Sequence, residues 1–258
     1  MKALITGASS GFGRDMAHIL SEKGYDIIAV ARRRERLEEL AAELRTNVEI
    51  VVCDVSDERQ CIALADKACE VDILINNAGF GVFGEFLSNS LDDELKMLDT
   101  NVRAVHILTK LFAQEFEKRG YGNILNVSSL ASFFPGPLFA AYYASKSYVL
   151  RLSQALSEEL RRKNSKVRIS VLCPGPAGTE FGNVAKVSFG SGNEGISRFV
   201  VLTSRKVSEY AIKQMLKGKQ VIVPGAAMKT AAFLRHILPD KLLARAVYMI
   251  QSKKCIKK

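Results

Sequence analysis

Short apolar runs alternate along the chain with longer stretches in which leucine and alanine recur every three or four residues. The runs are typical of buried parallel strands, and the recurring pattern is typical of helices packed on a sheet. Strands are predicted at residues 3–6, 27–31, 48–53, 73–76, 123–127, 167–173 and 221–223. Helices are predicted to begin near Gly13, Arg34, Glu58, Leu91, Tyr142 and Lys206. This order predicts an α/β fold: one doubly wound (Rossmann), mostly parallel, seven-stranded sheet with helices on both faces.

The composition indicates how large a body this pattern can build. With 258 residues, 48% of them hydrophobic and 25% charged, the chain can bury a sizeable core. No linker rich in proline, glycine or serine divides it, so residues 1–258 are predicted to form a single domain. Within that domain we expect a substrate lid at about residues 180–204 and a helical tail at about residues 229–258.

The start of the chain and its apolar runs bear on where the protein works. The first residues pass directly into an apolar segment and Gly7, which leaves no room for a secretory signal. Charges or glycines interrupt each later apolar run before it reaches the roughly 20 residues that a bilayer span needs. We therefore expect a cytoplasmic protein.

Cysteines, histidines and net charge limit the possible ligands. The five cysteines include no C-x-x-C pair and the three histidines show no ligand spacing, so no metal is expected. The net charge of +10 could indicate nucleic acid, an anionic membrane surface or a phosphate-rich ligand. Because no interleaved basic and aromatic motif supplies a stacking surface, nucleic acid is not expected as a partner.

A glycine-rich turn follows the first predicted strand. Gly7, Gly11 and Gly13 lie between that strand and the first helix, in the segment Thr-Gly-Ala-Ser-Ser-Gly-Phe-Gly. Glycines there let the backbone approach a pyrophosphate, whose charge the helix N-terminus stabilises. The turn predicts a nucleotide site, although the same residues could form only a tight connection between strand and helix.

The end of the second predicted strand bears on the choice of nucleotide. Folds that prefer NAD place a carboxylate there, whereas this chain has Arg32 and Arg33. Guanidinium groups suit a 2′-phosphate, so NADP is favoured over NAD, with Arg32 the preferred contact. The arginines could instead begin a solvated helix. Asp54, after the third strand, could accept from an adenine amino group or cap the following helix.

A tyrosine and a lysine are spaced for proton transfer. Tyr142 and Lys146 are four residues apart, so on a helix they share one face. A nearby ammonium stabilises a phenolate, and we expect it to lower the pKa of Tyr142. Ser129 ends the fifth predicted strand, where its hydroxyl could meet the phenol above the crevice. The alternative is an ordinary amphipathic helix face.

These segments together resemble the short-chain dehydrogenase/reductase family over residues 3–225. The matching motifs occur in family order: the glycine turn, Asn76-Asn77-Ala78-Gly79, Asn101, Ser129, Tyr142-x-x-x-Lys146 and Pro174-Gly175. The resemblance implies an NADPH-dependent enzyme that reduces a carbonyl or oxidises the matching alcohol. Family spacing selects Ser129 and Tyr142 over their neighbours Ser128 and Tyr143.

The resemblance also implies roles for individual residues. Ser129 would polarise the carbonyl and Tyr142 would protonate it. Lys146 would lower the pKa of the phenol and bind the nicotinamide ribose, while Asn101 would hold a water that relays protons. The implied cofactor-binding residues are Gly7, Ser9, Ser10, Gly11, Phe12, Gly13, Arg32, Arg33, Asp54, Val55, Asn77, Ala78, Gly79, Asn101, Tyr142, Lys146, Pro174, Gly175 and Thr179.

Aromatic residues surround the predicted site. The lid carries Phe181, Phe189 and Phe199, and the segment between Ser129 and Tyr142 carries three more, Phe133, Phe134 and Phe139, with Pro135 among them. These side chains would form an apolar wall for a hydrophobic carbonyl substrate. They could equally be core or dimer contacts.

The tail and the assembly leave alternatives open. Apolar and basic residues alternate around Pro239, so the tail could lie on an anionic membrane surface, although packing on the body or a second subunit is preferred. A homo-oligomer, dimer or tetramer, is expected. The ending after Val223 differs from the glycine-rich ending of many tetrameric members. A catalytically silent NADPH-binding regulator is the alternative function.

Overall fold

One parallel sheet organises the chain, whose computed structural model describes residues 1–178, 187–188, 202–253 and 255–256. The strands of this sheet are β1 Lys2–Thr6, β2 Asp26–Ala31, β3 Val48–Val52, β4 Ile73–Asn76, β5 Gly122–Val127, β6 Val167–Leu172 and β10 Val221–Ile222. Their order is β3-β2-β1-β4-β5-β6-β10, and all pairs are parallel. Two short pairs lie outside it: β7 Ala177–Gly178 with β9 Leu202–Thr203, and β8 Val187–Ser188 with β11 Cys255–Ile256.

Helices cover both faces of the sheet. They are α1 Gly11–Glu22, α2 Arg34–Glu43, α3 Glu58–Lys67, α4 Leu91–Leu98, α5 Ala104–Arg119, α6 Ala140–Arg162, α7 Ser204–Leu216, α8 Ala226–Leu234 and α9 Asp240–Gln251. A π-helical turn, Asp99–Arg103, joins α4 to α5, and a 3₁₀ turn, Leu130–Phe133, follows β5. The predicted fold is therefore confirmed, with each of the seven predicted strands within one residue of its observed ends.

The helical prediction missed the break between α4 and α5. It placed one helix from Leu91, whereas the chain continues through the π-helical turn into a second helix that ends at Arg119. No proline or glycine interrupts residues 91–119, so the sequence carries no local signal for a boundary. The lid prediction falls mostly outside the described residues, and the single-domain division stays a prediction.

The core has two layers, one on each side of the sheet. Ile5 packs with Met16 of α1 and Ile212 of α7, whereas its neighbour Leu4 packs with Phe112 and Phe116 of α5. Successive side chains of a strand point to opposite faces, so burial of both residues requires that helices cover both faces. This arrangement leaves the carboxyl ends of the strands as the exposed edge at which ligands bind in such sheets.

Phe116 provides a test of the α5 layer. Its side chain is fully buried. The ring packs so closely on Gly122 that a Cβ at that residue would lie 2.1 Å from the ring atoms. We expect Phe116→Ala to lower the free energy of unfolding by about 3–5 kcal/mol because it opens a cavity. Urea unfolding measures this change. Phe86→Ala is the control, since that ring is 61% exposed, and a loss there as large as at Phe116 would contradict this account.

Among the described residues, no helix is long and apolar enough to cross a membrane. The same part of the chain contains no group of three or more histidine, cysteine or acidic side chains placed to hold a metal ion.

Candidate active site

The glycine turn packs tightly against the end of β4. Gly7 has φ +67°, and a Cβ there would lie 2.8 Å from Nδ2 of Asn77. A Cβ at Gly13 would lie 2.4 Å from the carbonyl oxygen of Gly7. Asn77 Nδ2 donates to the carbonyl oxygens of Thr6 at 3.0 Å and Gly7 at 3.1 Å. Glycine is therefore required at both positions for the turn to close on Asn77.

The first turn of α1 is suited to an anion. The helix begins at Gly11, the side chain of its N-cap Ser10 makes no capping hydrogen bond, and its first turn has no acidic residue. The first backbone N–H groups of a helix have no partner within the helix, and the helix dipole adds positive potential. A diphosphate would meet donors rather than carboxylates here, so the residues present fit a dinucleotide.

Both predicted arginines lie beside this turn. Arg33 Nη2 donates to Ser9 Oγ at 3.1 Å, which draws Arg33 toward the glycine turn. Arg32 is 71% exposed in its side chain, with Nη1 3.7 Å from Oδ2 of Asp54. Both residues line the same cavity as the turn. Arg33 is therefore placed as well as Arg32 to bind a phosphate.

Asp54 does not cap a helix. Its Oδ1 accepts from the backbone N–H of Ser56 at 3.0 Å and from the Ser56 hydroxyl at 2.8 Å. The cap of α3 is Asp57, whose carboxylate accepts from the backbone N–H groups of Arg59 and Gln60. The capping alternative for Asp54 is therefore wrong, because Asp57 lies closer to the start of the helix.

Tyr142, Ser129 and Lys146 meet at the ends of β5 and α6. Ser129 and Tyr142 share a hydrogen bond between their side chains. Lys146 Nζ lies 5.8 Å from the centre of the Tyr142 ring and donates to the carbonyl oxygen of Val127 at 3.0 Å. Tyr142 and Lys146 are 7% and 5% exposed. One helix and one strand thus hold a hydroxyl, a phenol and an amine in one group.

The neighbouring hydroxyls have other partners. Ser128 Oγ donates to the backbone carbonyl of Lys146 at 2.7 Å and so fastens α6 to β5. The Tyr143 hydroxyl accepts from Nε2 of Gln251 at 2.7 Å. These contacts agree with the choice of Ser129 and Tyr142 over Ser128 and Tyr143.

Burial dominates the ionisation of this group. It raises the pKa of Tyr142 above its usual value, although the hydrogen bond from Ser129 opposes the shift. Burial also lowers the pKa of Lys146 to about 8. Burial sets the direction of the shift at Tyr142, and the lowering of its pKa by Lys146 stays a prediction. Near neutral pH the phenol keeps its proton.

The shifted pKa of Lys146 makes stability depend on pH. Between about 8 and the ordinary 10.5, the unfolded chain holds more protons at this residue than the folded chain, so stability rises with pH. Below about 8 the full penalty of the buried ammonium is present. Lys146→Met removes the titrating amine, so the pH dependence of its stability measures what all the other titrating groups contribute.

We expect wild type to gain up to about 3 kcal/mol relative to Lys146→Met as pH rises across this window. Urea unfolding of both proteins at a series of pH values measures the difference. A difference that stays constant with pH would contradict the assignment of a buried, depressed amine.

Asn101 is buried beside Gly79 and Lys146 and does not line the cavity. It is fully buried in the π-helical turn, where Nδ2 donates to the Phe80 carbonyl at 2.8 Å and to Ser145 Oγ at 3.1 Å, and Oδ1 accepts from the Phe80 N–H. Because Ser145 is on α6, these bonds position that helix. A Cβ at Gly79 would lie 2.9 Å from Asn101 Oδ1 and 3.2 Å from Lys146 Nζ. The water relay through Asn101 stays a prediction.

One cavity of about 850 Å³ joins the glycine turn to the tyrosine. Its volume lies in the range of ligand and cofactor sites. Most residues predicted for the site line it: Gly7, Ser9, Ser10, Gly11, Phe12, Arg32, Arg33, Asp54, Val55, Asn77, Ala78, Gly79, Ser129, Tyr142, Lys146, Pro174 and Gly175. Gly13 and Asn101 are buried beside it and are not among its lining residues. Thr179 lies outside the described residues.

The tail supplies a wall that sequence reasoning did not assign to the site. Residues of α8, α9 and their connection line the cavity: Met228, Ala231, Leu234, Leu238, Leu243, Ala246, Val247, Ile250 and Gln251. Their three- and four-residue spacing predicts an apolar helix face, which was expected to pack on the body or a second subunit or to lie on a membrane surface. Of the predicted aromatic wall, Phe134 and Phe139 line the cavity, whereas Phe133 lies under the Arg235 guanidinium, 5.4 Å away.

Comparisons with known proteins agree with this geometry. The family model for short chain dehydrogenases matches residues 1–186. An NADP-dependent 3-hydroxy acid dehydrogenase of Escherichia coli O157:H7 is 34% identical over 81% of this chain and 86% of the relative. The dehydrogenase/reductase SDR family protein 7-like of Drosophila melanogaster is 30% identical over 98% of this chain and 80% of the relative.

A solved structure shows the same fold. The short-chain dehydrogenase from Sphingobium yanoikuyae in complex with NADPH has a TM-score of 0.81 and is 28% identical, covering 92% of this chain and 93% of that one. The chain therefore belongs to the short-chain dehydrogenase/reductase family of oxidoreductases.

Proposed function

We propose that this protein transfers a hydride between NADPH and a carbonyl carbon of an apolar substrate, with Tyr142 as the proton donor. The observation that carries the proposal is the convergence of Ser129, Tyr142 and Lys146 in the cavity that also contains the glycine turn. Arg32 and Arg33 support NADP rather than NAD, because they offer charge-assisted hydrogen bonds to a 2′-phosphate. The Escherichia coli relative is likewise named as NADP-dependent, although its named substrate class, 3-hydroxy acids, is polar.

The protein's own residues would orient the substrate and move one proton. When bound, the nicotinamide supplies the hydride. Ser129 would donate a hydrogen bond to the carbonyl oxygen, and Tyr142 would transfer its proton to that oxygen as negative charge develops. The raised pKa of Tyr142 keeps the phenol protonated beforehand, which suits reduction. Lys146, still largely protonated near neutral pH, would stabilise the phenolate left behind.

The tail favours an apolar substrate. Next to Tyr142, the cavity is bordered by Phe134 and Phe139, and α8 and α9 add mainly aliphatic side chains. Apart from the residues of the nucleotide end, the polar lining residues are few: Thr100, Ser128, Ser129, Tyr142, Tyr143, Lys146 and Gln251. A site with few polar groups at its chemical centre and an apolar surround selects ligands by shape and apolar area.

A substrate screen tests the proposal. Ketones and aldehydes of increasing apolar size would be offered to the full-length protein with NADPH or NADH, and oxidation would be followed by loss of nicotinamide absorbance. We expect turnover with NADPH, and higher kcat/KM for bulky apolar ketones than for small polar ones. Tight NADPH binding without oxidation by any carbonyl would instead identify a silent NADPH-binding protein.

A further inference from the structure

The C-terminal helices and their connection carry two sets of apolar residues, one that lines the cavity and one that is exposed. The first set, which includes Met228, Leu243 and Val247, lines the cavity. Five other apolar side chains of these helices and their connection do not line the cavity and are exposed to solvent: Phe233 (61%), Ile237 (63%), Leu242 (49%), Tyr248 (49%) and Met249 (61%). We call these five residues, together with Lys241 and Arg245 between them, the outer tail face.

An apolar outer face is unusual for a helix that already packs on a body. The face opposite the core is ordinarily polar, as in α7, which exposes Lys206, Glu209 and Lys213. Scattered exposed apolar residues need no explanation, but a group of them on one element marks an interaction surface. Leu242 and Met249 are seven residues apart on α9 and therefore lie on one side of it.

The excess of basic residues around this face favours an anionic partner. Residues 226–253 contain five basic side chains and one acidic side chain, Asp240. Lys229 and Arg235 lie over the rings of Tyr210 and Phe133, whereas Lys241, Arg245 and Lys253 are exposed. A second copy of the chain packed on the same face would bring these like charges together, which opposes association. Anionic lipid headgroups complement the basic residues, and the acyl region beneath accepts the apolar ones.

We propose that the outer tail face docks on an anionic membrane surface. The helices would lie in the plane of the interface, the mode expected of short amphipathic helices with basic residues among the apolar ones. Leu234, Leu238 and Ile250 line the cavity and are also 39–55% exposed, so they form an apolar rim next to the outer tail face. Docking would place this rim beside lipid. An apolar substrate could then enter from the bilayer, a consequence that rests on the proposed function.

A fluorescent reporter tests docking without using enzyme activity. The chain contains no tryptophan, so Met249→Trp introduces a single reporter on the outer tail face. Leu87→Trp, at a side chain that is 96% exposed in the loop between β4 and α4, is the matched control. We expect vesicles of phosphatidylcholine with phosphatidylserine to shift the Met249→Trp emission to the blue, and brominated lipid to quench it. Leu87→Trp should show neither effect.

Sedimentation with the same vesicles tests the charge argument on full-length protein. Reversing two charges in Lys241→Glu/Arg245→Glu should weaken binding at least about tenfold, and added salt should weaken wild-type binding. Lys163→Glu/Lys166→Glu, which reverses two exposed charges at the opposite end of the sheet, should leave binding unchanged. The proposal is overturned if wild type does not bind anionic vesicles, or if both pairs weaken binding equally. It is also overturned if sedimentation shows a dimer that Lys241→Glu/Arg245→Glu dissociates.

Discussion

Tyr142→Phe is expected to lower kcat for carbonyl reduction by about 10²–10⁴-fold, while the Kd for NADPH changes little. The substitution removes only the hydroxyl that would give its proton to the substrate. The ring should keep its place, because it is buried and stacks on Phe139 with 4.5 Å between ring centres. Single-turnover absorbance kinetics measure the chemical step, and NADPH fluorescence titration measures binding.

A matched control comes from the same helix. Tyr148→Phe also removes a phenolic hydroxyl from α6, but Tyr148 is 39% exposed and its hydroxyl pairs with Nδ1 of His106. This variant should keep wild-type turnover. Retention of more than about a tenth of wild-type kcat by Tyr142→Phe would show that another group donates the proton.

Arg32→Asp and Arg33→Asp are each expected to shift the ratio of kcat/KM for NADPH to that for NADH by about 10²-fold or more toward NADH. A charge-assisted hydrogen bond contributes about 1.5–3 kcal/mol, and the new carboxylate adds repulsion from a 2′-phosphate while offering an acceptor to a 2′-hydroxyl. The hydrogen bond from Arg33 to Ser9 leads us to expect an effect at Arg33 as large as that at Arg32.

Arg34→Asp provides the control for net charge. Arg34 begins α2, is 61% exposed in its side chain and lies 3.8 Å from Glu38, and it does not line the cavity. Its replacement makes the same change in net charge near the same strand end, so the cofactor ratio should move little. An equal shift in all three variants would mean that the net charge of this region, rather than a direct contact to the 2′-phosphate, sets the preference for NADPH over NADH.

The parts of the site that could be predicted are those encoded by local pattern. Strand positions follow from short apolar runs because the inner strands of this sheet are buried on both faces, whereas the edge strand β3 is only half-buried or exposed. The glycine turn and the spacing from Tyr142 to Lys146 are likewise local signals, and parallel topology brings the segments after the strands to one edge. Most of the residues predicted from these signals line the cavity.

The rest depends on contacts between distant segments. Gln251 reaches Tyr143 across 108 residues, and no local pattern predicts that the tail would form a wall of the cavity. The pKa of Lys146 depends on burial, which spacing along a helix does not reveal. The bonds of Asn101 to Phe80 and Ser145 also could not be predicted, because they form only once α6 packs on the π-helical turn.

Transfer of deuterium tests the central claim most directly. The full-length protein would be incubated with an apolar ketone and NADPH carrying deuterium at both C4 positions, and the alcohol would be analysed by mass spectrometry and NMR. Direct hydride transfer predicts one deuterium bound to the carbinol carbon and a primary isotope effect on the single-turnover rate. Alcohol that carries no deuterium at that carbon would contradict the account.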